Sequence, residues 1–157
     1  MSNVSDLLYD TEARNAMIRG VSFLSKAVEV TLGPKGKNVA IFSDGKLPHL
    51  TKDGVTVANA INLRNQFENL GAQLVKEAAQ RSAEVAGDGT TTSTVIANKI
   101  LVDGSRLLST GLDPREFVEG INAACSDVIA NLEHTRLEVK NSEDLMWRQS
   151  LLAVIKK

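Results

Sequence analysis

The sequence predicts a mainly α-helical fold, four to five helices with one small β-hairpin. Apolar residues recur at steps of three and four over most of the 157 residues. Glycine-containing breaks, "LGPKG", "KDG" and "AGDG", separate those stretches. One pair of short apolar runs flanks an Asp-Gly turn.

The first helix is expected from Thr11, read as its N-cap, with Ala13, Met17, Val21, Leu24, Val28 and Leu32 on one face. Gly33 and Pro34 stop it, Gly33 through a left-handed cap and Pro34 by barring continuation. "NVAIF" (38–42), "SDGK" (43–46) and "LPHLT" (47–51) read as the hairpin, with Pro48 holding its strand to an edge. "TKDGVTVANAI" turns at Lys52-Asp53-Gly54 and enters a short helix. A second long helix presents Phe67, Leu70, Leu74, Ala78 and Ala79 and ends near Ala86-Gly87. The third begins at the Thr run, carries Val95, Ile96, Ile100, Leu101, Leu107 and Leu108, and ends at Gly111. The fourth opens on "DPRE", with Asp113 as N-cap, Pro114 at N1 and Glu116 at N3. Its expected core face is Phe117, Ile121, Ala124, Val128 and Leu132. A last helix is expected after Asn141, with Leu145, Leu151, Leu152 and Ile155.

Composition narrows the function classes. The net charge of −1 gives no basic excess for nucleic acid, and 4% aromatic residues are too few for a base-stacking platform. No apolar run reaches the ~18 residues that would span a membrane. "MSNVSDLLYD" has no signal-like pattern, and the single Cys125 suits a reducing compartment, so a cytoplasmic location is expected. His49, His134 and Cys125 have no ligand-like spacing and read as surface or packing residues. "KEAAQRSAE" (76–84) reads as a charged solvated face.

The breaks are the places where chemistry can sit. In "VAGDGTTTSTVIANKIL", Gly87 and Gly89 flank Asp88 and a helix starts directly behind them. A helix start offers unpaired N–H groups and partial positive charge, and flanking glycines let an anion approach the backbone. Asp88 offers hard carboxylate oxygen suited to Mg²⁺, and Thr90, Thr91 and Thr92 add hydroxyls. The alternative is purely structural, with Asp88 or Thr90 capping the helix and Gly87 ending the one before. No Lys follows the glycines, so the usual phosphate-loop pattern is not met. In "TLGPKGKNV" (31–39) a stiff turn could contact a nucleotide, with Lys35 and Lys37 near its phosphates, or could simply stop a helix. In "TKDG" (51–54), Asp53 is either a turn residue or a second carboxylate near a metal or its water.

Taken together, "VTLGPKGKNVAIF", "HLTKDGVTVANAI", "FENLGAQLVKEAAQRSAEVAGDGTTTSTVIANKIL" and "GLDPREFVEGINAA" resemble, in order and spacing, the group I (GroEL-like) chaperonins. The resemblance runs from about residue 12 to about residue 132. It implies the N-terminal half of an equatorial domain, which binds ATP with Mg²⁺ and K⁺ and builds a ring. By that resemblance Thr31, Leu32, Gly33 and Pro34 line the nucleotide, Lys52 contacts it, and Asp53 stands near the attacking water as the catalytic residue. By the same resemblance Asp88 is expected as the Mg²⁺ ligand, and Gly89, Thr90, Thr91 and Thr92 as the phosphate-binding helix start. The hairpin resembles the one that adds to a neighbouring subunit's strands.

The resemblance also sets expectations for the chain as a whole. Residues 1–140 are expected to be a partial equatorial domain and 141–157 a divergent helical tail. The family's intermediate domain, and the apical domain that binds unfolded clients and co-chaperonin, are expected to be absent. An ATP-dependent protein-folding subunit is therefore expected to bind ATP here without folding clients alone, and to hydrolyse ATP very slowly if at all. Two other readings stay open: a fragment that docks on a complete chaperonin ring, and a plain helical bundle whose breaks are only turns.

Overall fold

The computed structural model describes residues 7–42, 45, 47–136, 143 and 146. Among them are five helices and one two-stranded sheet: α1 (Asp10–Glu29), β1 (Val39–Ile41), β2 (His49–Thr51), α2 (Gly54–Ala60), α3 (Gln66–Ala86), α4 (Thr90–Ser109) and α5 (Pro114–Thr135). Of the helix expected after Asn141 only Glu143 and Met146 are described, both helical, and its expected apolar positions Leu145, Leu151, Leu152 and Ile155 lie outside the described residues, as does the hairpin turn "SDGK" apart from Gly45. The chain divides into two compact units at Asp103 and Gly104, and each is described by itself.

The first unit holds the core. Val21, Leu24 and Val28 from α1, Val57 and Ala58 from α2, and Ala72 and Val75 from α3 form one buried cluster. Leu24 is wholly buried, and burying such a side chain contributes about 1.5–3 kcal/mol. Val39, Ile41, Ile61, Leu63 and Ala97 pack around the cluster. The hairpin is antiparallel, pairing Val39 with Thr51, Ala40 with Leu50 and Ile41 with His49. Strand alternation turns Val39 and Ile41 toward the core and Ala40 outward. Pro48 precedes β2, where it removes no ladder hydrogen bond.

Two glycines set how α1 meets α3. A Cβ on Gly20 would run into the Glu68 backbone, and one on Gly71 into the Met17 backbone. The helices touch main chain to main chain. That corrects the face expected for α3: Gly71, Ala72, Val75 and Ala79 are buried, while Leu70 and Leu74 are half or more exposed and Ala78 is exposed. Close approach selects the small residues, and the larger ones point away. Lys76, expected in a solvated face, is half-buried and donates to the Ile61 carbonyl.

Three local expectations also change. Tyr9 is the N-cap of α1, without a side-chain cap, so Thr11 lies inside the helix. The helix ends at Glu29 rather than at Gly33, and Leu32 is exposed in the turn beyond it. In α4 the first-unit contacts run through Thr94, which is buried, and Ala97, while Ile96, Ile100 and Leu101 are exposed. Small side chains again take the contact.

The second unit contains the end of α4, a turn at Gly111 with φ 98°, and α5. The Asp113 carboxylate accepts from the Arg115 N–H at 2.7 Å and Pro114 opens the helix, as the sequence predicts. The Phe117 ring lies against Gly104, where a Cβ would overlap it. Phe117 and Ile121 are half-buried, but Ala124, Val128 and Leu132 are exposed, so most of the expected α5 stripe has no partner among the described residues. Leu107 is likewise half-exposed, and Cys125 is exposed.

Candidate functional site

The first break is a turn folded back on itself. The Thr31 and Leu32 N–H groups donate to Val28 and Glu29 carbonyls at 3.0 Å, a tightened last turn. The Lys37 N–H then returns to the Val30 carbonyl at 2.7 Å. Gly33, with φ 76°, takes the left-handed conformation that lets the chain double back. The Thr31 hydroxyl donates to the Val28 carbonyl at 2.7 Å, which fixes its oxygen with acceptor capacity to spare.

The second break is governed by Asp53. Its carboxylate caps α2, accepting from the Val55 N–H at 3.2 Å and the Thr56 N–H at 2.8 Å. The Thr56 hydroxyl also donates to it. Hydrogen bonding, led by the Thr56 hydroxyl, holds the Asp53 carboxyl below its ordinary value against a smaller opposing effect of burial. Asp53 is therefore ionised at neutral pH and a weak base. Lys52, beside it, is exposed.

The third break joins α3 to α4 through two left-handed glycines, Gly87 at φ 77° and Gly89 at φ 95°. Asp88 stands exposed between them, and one of its oxygens accepts from the Gly89 N–H at 2.6 Å. The first intrahelical bond of α4 is from the Ser93 N–H to the Gly89 carbonyl. Ahead of it the N–H groups of Thr90, Thr91 and Thr92 have no acceptor among the described residues, as expected at a helix start. A Ser93–Ser82 hydroxyl bond of 3.2 Å ties the start of α4 to the end of α3.

The Thr run is divided. Thr90 is buried and, with Thr94, Val55, Ala58, Ala79 and Ala83, lines a small cavity of about 110 Å³. Thr92 is exposed and Thr91 is half-buried.

Residues beside the first and third breaks meet at buried Gly54 in the second. A Cβ built on Gly54 would overlap the Thr91 hydroxyl and lie 3.2 Å from the Thr31 hydroxyl. Segments separated by more than 20 residues at each step thus place Thr31, Gly54 and Thr91 side by side. The sequence profile of the TCP-1/cpn60 chaperonin family matches residues 24–156. The chain belongs to that chaperonin family.

In this chaperonin-family chain the candidate residues fall into two groups. Thr31 and Thr91 are brought together directly across Gly54. Leu32, Gly33 and Pro34 follow Thr31 in its turn; Lys52 and Asp53 immediately precede Gly54; Asp88, Gly89, Thr90 and Thr92 flank Thr91. The second group consists of residues that sequence reasoning passed over. Gly54 and Thr56 were legible only as parts of a turn and a helix, although a hydroxyl three residues after Asp53 is a capping arrangement.

Among the described residues no group of three or more His, Cys, Asp or Glu side chains is placed to hold a metal ion. A magnesium ion bound through one carboxylate, phosphate oxygens and water needs no such group. Exposed Asp88, with its second oxygen outside the Gly89 contact, fits that role. No described helix is long and apolar enough to cross a membrane.

Proposed function

We propose that the chain is the nucleotide-binding part of a group I-type chaperonin subunit and binds ATP with Mg²⁺ at the junction of its three breaks. The observation that carries this is the convergence of Thr31, Gly54 and Thr91 at the open start of α4. In this reading the free N–H groups of Thr90, Thr91 and Thr92 take phosphate oxygens, and Gly89, whose N–H is held by Asp88, leaves open space for their approach. Asp88 holds Mg²⁺, Lys52 adds positive charge, and the turn from Thr31 to Pro34 lines the nucleotide, with K⁺ as a second cation. The magnesium ion would neutralise phosphate charge.

Asp53 has a narrower role. A carboxylate of lowered pKa that already caps a helix is suited to orienting a water, and poorly suited to removing its proton. The 157-residue chain by itself is therefore expected to bind Mg-ATP and hydrolyse it slowly. Protection from thermal unfolding by Mg-ATP but not by Mg²⁺ alone supports the nucleotide reading; no protection at saturating Mg-ATP contradicts it.

We further propose residues 1–140 as a partial equatorial domain that assembles with other chaperonin subunits in the cytoplasm, and 141–157 as its divergent tail. Client refolding belongs, in this reading, to the assembled machine. A second reading, a module that docks on a complete ring, is favoured by the hairpin. Leu50 in β2 is 67% exposed, Phe42 and Leu47 just outside the strands are 74% and 91% exposed, and among the described residues the two-stranded sheet leaves both outer edges open to pairing. Co-purification with a complete chaperonin, lost on altering residues 38–51, would support docking.

A further inference from the structure

We propose that Gly54 is a positioning residue of the candidate nucleotide site, its missing Cβ setting where the Thr91 and Thr31 hydroxyls stand. This rests on the nucleotide reading above and adds a residue to it.

The local backbone does not call for a glycine. Gly54 is the first residue of α2, where any residue of ordinary helical conformation fits, and it is not among the positive-φ glycines. Glycine is also the less favourable choice in a helix relative to alanine. What remains is space. Among the described glycines, Gly54 alone would bring a Cβ against hydroxyl side chains. Gly20, Gly36 and Gly71 would meet backbone and Gly104 an aromatic ring. The left-handed glycines have open space at that position.

The contacting atoms determine what a substitution does. At Gly20 or Gly71 the obstacle is main chain, which cannot yield without separating two helices. At Gly54 the nearest obstacle is the Thr91 Oγ1, and the Thr91 Cβ lies 3.3 Å away. A threonine in a helix has two accessible χ1 positions. An added methyl must turn Thr91 to its other rotamer or push the first turn of α4 outward. Either change displaces a hydroxyl that has no partner among the described residues, and so is available to a ligand. The Thr31 hydroxyl is pinned by Val28 and cannot follow.

The test is Mg-ATP titration calorimetry with urea unfolding of the full chain and five variants: Gly54→Ala, Thr91→Ala, Thr91→Ser and the two doubles. Gly54→Ala is expected to lower affinity about tenfold and to lower the unfolding midpoint. Adding Thr91→Ala removes the overlap, so the midpoint recovers while affinity stays no worse than in Thr91→Ala alone. Adding Thr91→Ser restores a freely turning hydroxyl, so midpoint and part of the affinity return. Wild-type affinity in Gly54→Ala, or losses that simply multiply in the doubles, would overturn the proposal and leave the nucleotide reading standing. A wild-type chain that fails to bind Mg-ATP overturns the nucleotide reading. The urea midpoints still read the contact in that case, and additive changes there would reject the steric coupling as well.

Discussion

Gly71 in α3 lies so close to the Met17 backbone in α1 that no Cβ fits between them. With Gly20 against Glu68, this makes the α1–α3 crossing a contact of main chains. Gly71→Ala should therefore destabilise the chain although alanine is the better helix former. Overpacking of this kind costs about 1–3 kcal/mol. A urea unfolding curve reads it, and a neutral or stabilising effect would mean the helices stand further apart.

The same crossing sorts the leucines. Leu24 is wholly buried, and Leu24→Ala should cost about 2–5 kcal/mol in cavity and transfer terms. Leu74 is 55% exposed, and Leu74→Ala should cost within about 0.5 kcal/mol, the range of surface substitutions. Equal losses at the two positions would contradict the rotated α3 face.

Asp53 has two duties that one substitution separates. Asparagine keeps one of the two acceptor oxygens that Asp53 uses, so Asp53→Asn should keep the cap in part and lower stability at neutral pH by about 0.5–1.5 kcal/mol, the worth of one hydrogen bond. It should reduce whatever ATP hydrolysis the chain has. The folded-state pKa of Asp53 is lowered from its ordinary 3.8. Its contribution is thus complete above that value and is lost as pH falls through the lower folded value. Acid unfolding of the Asn variant should show a shallower pH dependence below the ordinary carboxylate value. An unchanged acid limb would show that the cap is not what holds the carboxylate ionised.

Helix number, the hairpin and the Asp113–Pro114 entry were legible because each is written in local residues. Periodicity marks a helix, an Asp-Pro pair marks its start, and an Asp-Gly pair marks a turn. The buried faces were less legible. Apolarity selects Leu70, Leu74, Ile96 and Val128, whereas the buried or half-buried positions are Gly71, Ala72, Thr94 and Ala97; at Gly71 and Ala72 the reason is the main-chain approach of α1 and α3, which needs small side chains. The exposed leucines and isoleucines give the chain apolar rows of the kind that mark interaction surfaces.

The site was partly legible. Each break could be found from its glycines, and the family resemblance put a function on them. That Thr31 and Thr91 meet across Gly54 is a tertiary fact with no local signature. The split of the Thr run into buried Thr90, half-buried Thr91 and exposed Thr92 follows from the 100° turn between successive helical residues, once the side of α4 facing the core is fixed.

The most direct test is calorimetric titration of ATP into the 157-residue chain, with Mg²⁺ and with EDTA, beside the same titrations of Asp88→Ala. Saturable binding that weakens at least tenfold in EDTA, with that magnesium dependence gone in Asp88→Ala, is the expected result. No saturable heat from the wild-type chain, or equal magnesium dependence in both proteins, would contradict a magnesium-nucleotide site at the start of α4.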